Sequence, residues 1–154
     1  MTSRFFERRS VRNQLKTYLE AKGWTDLTWA EGFTAYTLDI TAPPFIGVML
    51  DDLGKEELEL GNDPSINKIY ARRLQVDVFM ESEDRVEALS DDISDFLDLE
   101  VIIIKDNASN ILGSMVSDTS SILARTEDPF LDQEANLDWS GTVSCIYEVH
   151  YPNG

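Results

Sequence analysis

The segment from Arg72 to Asp98, RRLQVDVFMESEDRVEALSDDISDFLD, constrains the fold more than any other part of the chain because its hydrophobic period changes halfway. In its first half Leu74, Val76, Val78 and Met80 alternate with Arg73, Gln75, Asp77 and Phe79, the period-2 pattern of a strand with one buried face. In its second half Val86, Leu89, Ile93, Phe96 and Leu97 recur at helical spacing. A half-buried strand therefore runs into an amphipathic helix through the polar turn Glu81-Ser82-Glu83. This unit is a structural plank and carries no catalytic group. It points to a protein that packs against copies of itself or against neighbours.

At 154 residues and 42% hydrophobic, the chain is expected to form a single domain, residues 1–154, with a substantial core. No apolar run approaches the ~18 residues of a membrane span, and MTSRFFERRS has no secretory apolar region, so no membrane is expected as partner. The one cysteine, Cys145, leaves no internal disulfide and fits a reducing compartment such as the cytoplasm. Charge is uneven. Residues 1–22 carry a net of +4 against −16 for the whole chain, which leaves −20 on the remainder. A body of that sign repels duplex DNA and anionic membranes. It suits DNA only as a conduit that DNA slides through without specific binding.

The spacing predicts a first helix over Ser3 to Lys22, stopped by Gly23 and carrying the apolar stripe Val11, Leu15, Tyr18 and Leu19. Arg4, Arg8, Arg12 and Lys16 follow one another at i+4, where like charges cost about 0.2–0.5 kcal/mol per pair unless an anion faces them. Glu87, Asp91 and Asp95 form an acidic stripe of the same period on the second helix. Each stripe reads either as a solvated face or as half of a subunit interface. Such pairs contribute ~0–1 kcal/mol each and would set register more than strength.

Strands are expected at 24–29, 34–40, 45–50 and 70–80, then at 101–104, 111–124 and 139–151. Two acidic connections, 51–65 and 127–138, read as docking loops. In the first, Leu53, Leu58 and Leu60 lie among Asp51, Asp52, Glu56, Glu57 and Glu59, and apolar residues in so acidic a segment argue against plain disorder. The closing strand places Val143, Cys145, Tyr147, Val149 and Tyr151 on one face. The fold class is therefore α+β, with a single mainly antiparallel sheet and two helices packed on one face.

Catalytic and metal-binding patterns are not found in the sequence. His150 and Cys145 share a strand with opposite parity and project to opposite faces. Two such residues do not make a structural zinc site, and no nucleophile elbow, Walker loop or dinucleotide fingerprint occurs. Asp106, Asn107 and Asn110 hint at a calcium loop, but Ser117 stands where its closing glutamate belongs. The chain is not expected to be an enzyme, and no catalytic residue, cofactor or metal is expected.

The order of helix, strands, ELELG loop, LQVDVFMES strand, RVEALSDDISDFL helix and closing YEVHY strand resembles small tailed-bacteriophage proteins of the head–tail interface. It is most similar to the tail-terminator and neck (tail-completion) group, from Arg12 to Tyr151. The chain is more acidic than that group's pattern, and its 127–138 segment is longer. The resemblance implies a virion protein that assembles with itself as a ring, commonly a hexamer. Such a ring ends the tail tube and joins it to the connector of the filled head, so tail tube protein and connector or neck proteins become partners. A head-side neck or head-completion ring, and an acidic soluble adaptor for a basic protein, stand as alternatives.

Overall fold

The computed structural model describes residues 4–31, 45–53, 68–126, 130–131 and 137–152. Helix α1 spans Arg4–Ala21 and buries Val11, Leu15 and Leu19 completely. Its end is a Schellman motif: Trp24 N–H donates to Leu19 O at 3.0 Å and Gly23 N–H to Glu20 O at 3.1 Å. Gly23 has φ +100°, a conformation that a Cβ would strain. Helix α2, Glu83–Leu99, starts at Ser82, whose hydroxyl accepts from Arg85 N–H at 3.3 Å. Glu83 and Asp84 in its first turn suit the positive end of the helix dipole.

Eight strands are described: β1 (Thr28–Glu31), β2 (Phe45–Asp52), β3 (Lys68–Met80), β4 (Ile102–Lys105), β5 (Ile111–Ser117), β6 (Leu123–Thr126), β7 (Phe130–Leu131) and β8 (Leu137–Tyr151). The main path through the sheet is β1-β2-β3-β8-β5-β4, with β6 and β7 also paired to β8. Among the described strands only β1 and β2 pair in parallel, and the other described pairings are antiparallel. The chain is thus α+β with a mainly antiparallel sheet, as the alternating periods predict.

The sheet turns on β8. One of its edges pairs with β3 from Trp139 to Tyr151. The other meets β5, β6 and β7 in succession, at 147–150, 141–144 and 137–138. The expected continuous strand 111–124 is therefore interrupted. Asp118 caps a short 3-10 turn, Thr119–Ser121, because its carboxylate accepts from Ser120 N–H and competes with the strand ladder. The turn stays stitched to β8, with Asp118 N–H donating to Ile146 O and Ile146 N–H to Ser121 Oγ, both at 2.8 Å. The expected loop 127–138 is shorter than its sequence predicts: Phe130–Leu131 pair with Leu137–Asp138. The strand expected at 24–29 is confined to 28–31, and the one expected at 34–40 lies outside the described residues.

One apolar cluster joins both helices to the sheet. Leu74, Val76, Val78 and Met80 are fully buried and sit beside the buried residues of β8. Helix α2 contributes Val86, Leu89, Ile93, Phe96 and Leu97, the positions its periodicity marks. It approaches β8 so closely at Gly141 that a Cβ there would lie 2.6 Å from Val86 Cγ1.

Candidate functional site

A polar network that periodicity alone does not reveal ties α1 to the sheet. Arg72 lies on the core-facing side of β3 and is 3% exposed. Its Nε donates to Glu7 Oε1 at 2.8 Å, and Glu7 is fully buried. The Tyr151 hydroxyl donates to the other Glu7 oxygen. From the same guanidinium, Nη1 reaches the more exposed Asp52 at 2.9 Å. Arg72 also stacks over Tyr70, which meets Tyr151 edge-on. Both ions are held by several partners, which is what burial of a charge pair demands. Asp51 and Asp52, expected in a docking loop, are instead the last residues of β2, in register with Arg73 and Arg72. Strands β2 and β3 are antiparallel and adjacent, and the segment that follows Leu53 joins them. Glu56, Glu57, Leu58, Glu59 and Leu60 lie within it, outside the described residues.

Helix α1 also seals an edge of the sheet. Strand β4 is the terminal strand on its side, and its outward backbone groups would otherwise invite another strand. Gln14 satisfies Ile103 on both sides: its amide donates to Ile103 O at 2.8 Å and accepts from Ile103 N–H at 3.3 Å. Ser10 Oγ accepts from Lys105 N–H at 3.1 Å. A polar groove of about 430 Å³ runs beside this clamp, lined by Arg9, Asn13, Thr17, Asn107 and Ser109 among others.

Of the basic stripe, Arg4 and Lys16 are exposed, whereas Arg8 and Arg12 are half-buried. The acidic stripe Glu87, Asp91 and Asp95 is exposed throughout. Comparison with protein families finds no match, and comparison with characterised proteins finds none either. The functional reading rests on the geometry and the sequence pattern.

An exposed apolar residue stands at one end of each helix, Phe5 at the start of α1 and Leu99 at the end of α2. Arg9 lies over the rings of Phe5 and Phe6, 5.3 and 5.2 Å from their centroids, and hydrogen-bonds Asn107. Phe5 is 53% exposed. Exposed Arg4 in the first turn of α1 is a cation where the helix dipole disfavours it, at about 0.3–1 kcal/mol, whereas the buried Glu7 of the same turn suits that end. Helix α2 has the opposite mismatch. Asp95 and Asp98 stand at its C-terminal end, Glu100 caps it, and no basic residue occupies its last turn.

Cys145 and His150 take the opposite faces their parity predicts: Cys145 is buried in the core, while His150 sits opposite Ile69 and Ser114 on the outer side. Burial pushes the Cys145 thiol up to about 12 and raises the Tyr147 hydroxyl as well. Both groups stay neutral in the fold where they would ionise in the unfolded chain. Their contribution to stability is complete below the ordinary thiol range and is lost as pH rises toward about 12. Urea midpoints should therefore decline with alkaline pH, and less steeply in Cys145→Ala. A thiol reagent should label Cys145 only as fast as the core opens.

Asp106 is engaged locally. Its carboxylate accepts from Ala108 N–H at 2.8 Å and Asn110 N–H at 2.9 Å, and the Asn110 bonds hold it below the usual carboxylate range. This is a turn-forming role. Among the described residues no group of three His, Cys, Asp or Glu side chains is arranged to hold a metal. No helix among them is long and apolar enough to cross a membrane.

Proposed function

We propose that this chain is a tailed-phage virion protein, a ring at the head–tail interface that ends the tail tube and joins it to the connector. It works by shape, without turnover, and its acidic body lines or borders a channel through which DNA passes unbound. It would collect in host cytoplasm before assembly and then reside in the virion. The observation that carries the reading is the order of elements. An N-terminal helix, an antiparallel strand pair either side of an acidic segment, a strand feeding directly into an amphipathic helix and a long closing strand occur in the sequence order of the tail-terminator pattern. The sealed β4 edge adds support, since it favours assembly through side-chain faces over uncontrolled strand pairing.

Light scattering on the purified protein, alone and with tail tubes that lack a terminator, tests the reading. A ring mass in either condition, commonly six copies, is expected. A chain that stays monomeric and ignores tube ends would replace this reading with that of an acidic adaptor for a basic protein.

A further inference from the structure

We propose that copies of this chain join head to tail, the N-terminal end of α1 on one copy seating on an acid-rimmed apolar row of the next. The proposal rests on the ring reading and names the surfaces that would build the ring. The first surface is the exposed Phe5 with Arg4, Arg8 and Arg9 around it. The second crosses the outer face of the sheet. Val116 lies beside Glu148 on β8, Glu148 lies beside Ala71 on β3, and Leu53 N–H donates to Ala71 O. Val101 precedes β4 at the same end, because Ile102 pairs with Met115. Val101, Val116 and Leu53 are 50, 47 and 41% exposed, and Leu99 at the end of α2 is 70% exposed. Beside them Ile69, Ala71 and Ile146 help line a shallow groove of about 270 Å³, with Asp118 and Glu148 also in its walls. Asp98, Glu100, Asp118 and Glu148 are all exposed around this row.

Two independent features match these surfaces to each other. Each combines exposed apolar side chains with charge mainly of one sign, Arg73 beside Ile146 being the exception on the second, and the prevailing signs are opposite, so a second copy supplies both the apolar cover and the counter-charge. Each also holds a charge its own helix dipole disfavours, Arg4 in the first turn of α1 and Asp98 in the last turn of α2. Contact between them relieves both mismatches at once. The surfaces lie apart on one molecule. Helix α1 runs antiparallel to β4, from Ser10 at Lys105 to Gln14 at Ile103, and Tyr18 packs on Phe96. From Phe5 to Tyr18 the helix axis advances roughly 20 Å. A contact between different surfaces is heterologous and generates a ring when its rotation closes.

Two variants test this on the full chain. Arg4→Glu with Phe5→Asp alters the first surface, and acids at a helix start favour the fold. Glu100→Lys with Val116→Lys alters the second at exposed positions. Each variant alone should be folded by circular dichroism and monomeric by light scattering. Mixed, they should assemble again with the two variants alternating, joined through the intact pair of surfaces and the charge-reversed pair. A chain carrying all four substitutions should assemble with itself. If Val116→Lys unfolds the chain, Glu148→Lys with Glu100→Lys takes its place. Variants that each assemble like the wild type, or a mixture that stays monomeric while the wild type assembles, would overturn the head-to-tail contact and leave the ring reading intact. A wild-type chain that never assembles would overturn both.

Discussion

Replacing Arg72 with methionine is expected to remove about 3–5 kcal/mol of folding stability, the largest loss at any polar position described. The cause lies in what stays behind. Glu7 is fully buried, and without the guanidinium its carboxylate keeps only the Tyr151 hydroxyl as a described partner. A charge left in that position must be neutralised or hydrated, and either route opens the junction between α1 and β3. Since a domain of this size is stable by about 5–15 kcal/mol, the variant should approach the threshold of unfolding at ambient temperature. Urea denaturation followed by circular dichroism measures the effect. Glu7→Gln combined with Arg72→Met should recover much of the loss, because the orphaned charge is gone. If the double variant is no more stable than Arg72→Met, the Arg72–Glu7 pair is not the source of the loss.

Val76→Asp should abolish cooperative folding altogether. Val76 is fully buried at the centre of the sheet, in register with Val48 on one side and Val143 on the other, and both of these are buried too. An aspartate there meets only apolar neighbours in the register, and the cost of burying an unpaired carboxylate exceeds what a domain of this size can absorb. The expected product is insoluble, or soluble with no dispersed amide spectrum. Gln75→Asp, one residue away on the outer side, should remain folded. A well-folded Val76→Asp protein would mean that the buried face of β3 has been assigned to the wrong parity.

The contrast between these two residues shows what the sequence makes legible. Parity along 74–80 and helical spacing along 86–97 identify the buried faces of β3 and α2, and Val76 belongs to that kind of information. Arg72 also has core-facing parity, but parity does not identify a charge held inside by a partner 65 positions away. Glu7 reads as an exposed acid among arginines for the same reason. Gln14 and Ser10 look like solvated helix residues until β4, 89 and 95 positions later, is laid beside them. The break in 111–124 is different, because it has a local cause. Asp118 followed by Ser120 is a side-chain turn signal, and the apolar residues on either side obscure it. The opposed charge stripes are visible in sequence, but the apolar residues beside them become surfaces only once α2 ends against β4 and β5.

The position of β8 has a consequence for how the protein is made. The strand that borders β3, β5, β6 and β7 is the last of the described strands to be synthesised. At roughly 5–20 residues per second, β3 leaves the translating ribosome about 4–14 seconds before its long partner is complete. During that interval the apolar face of β3 can be shielded by α1, β2 and α2, but one entire edge stays without its native partner. The sheet closes only after β8 has been made, so a chain truncated before Leu137 should yield aggregates and no functional fragment.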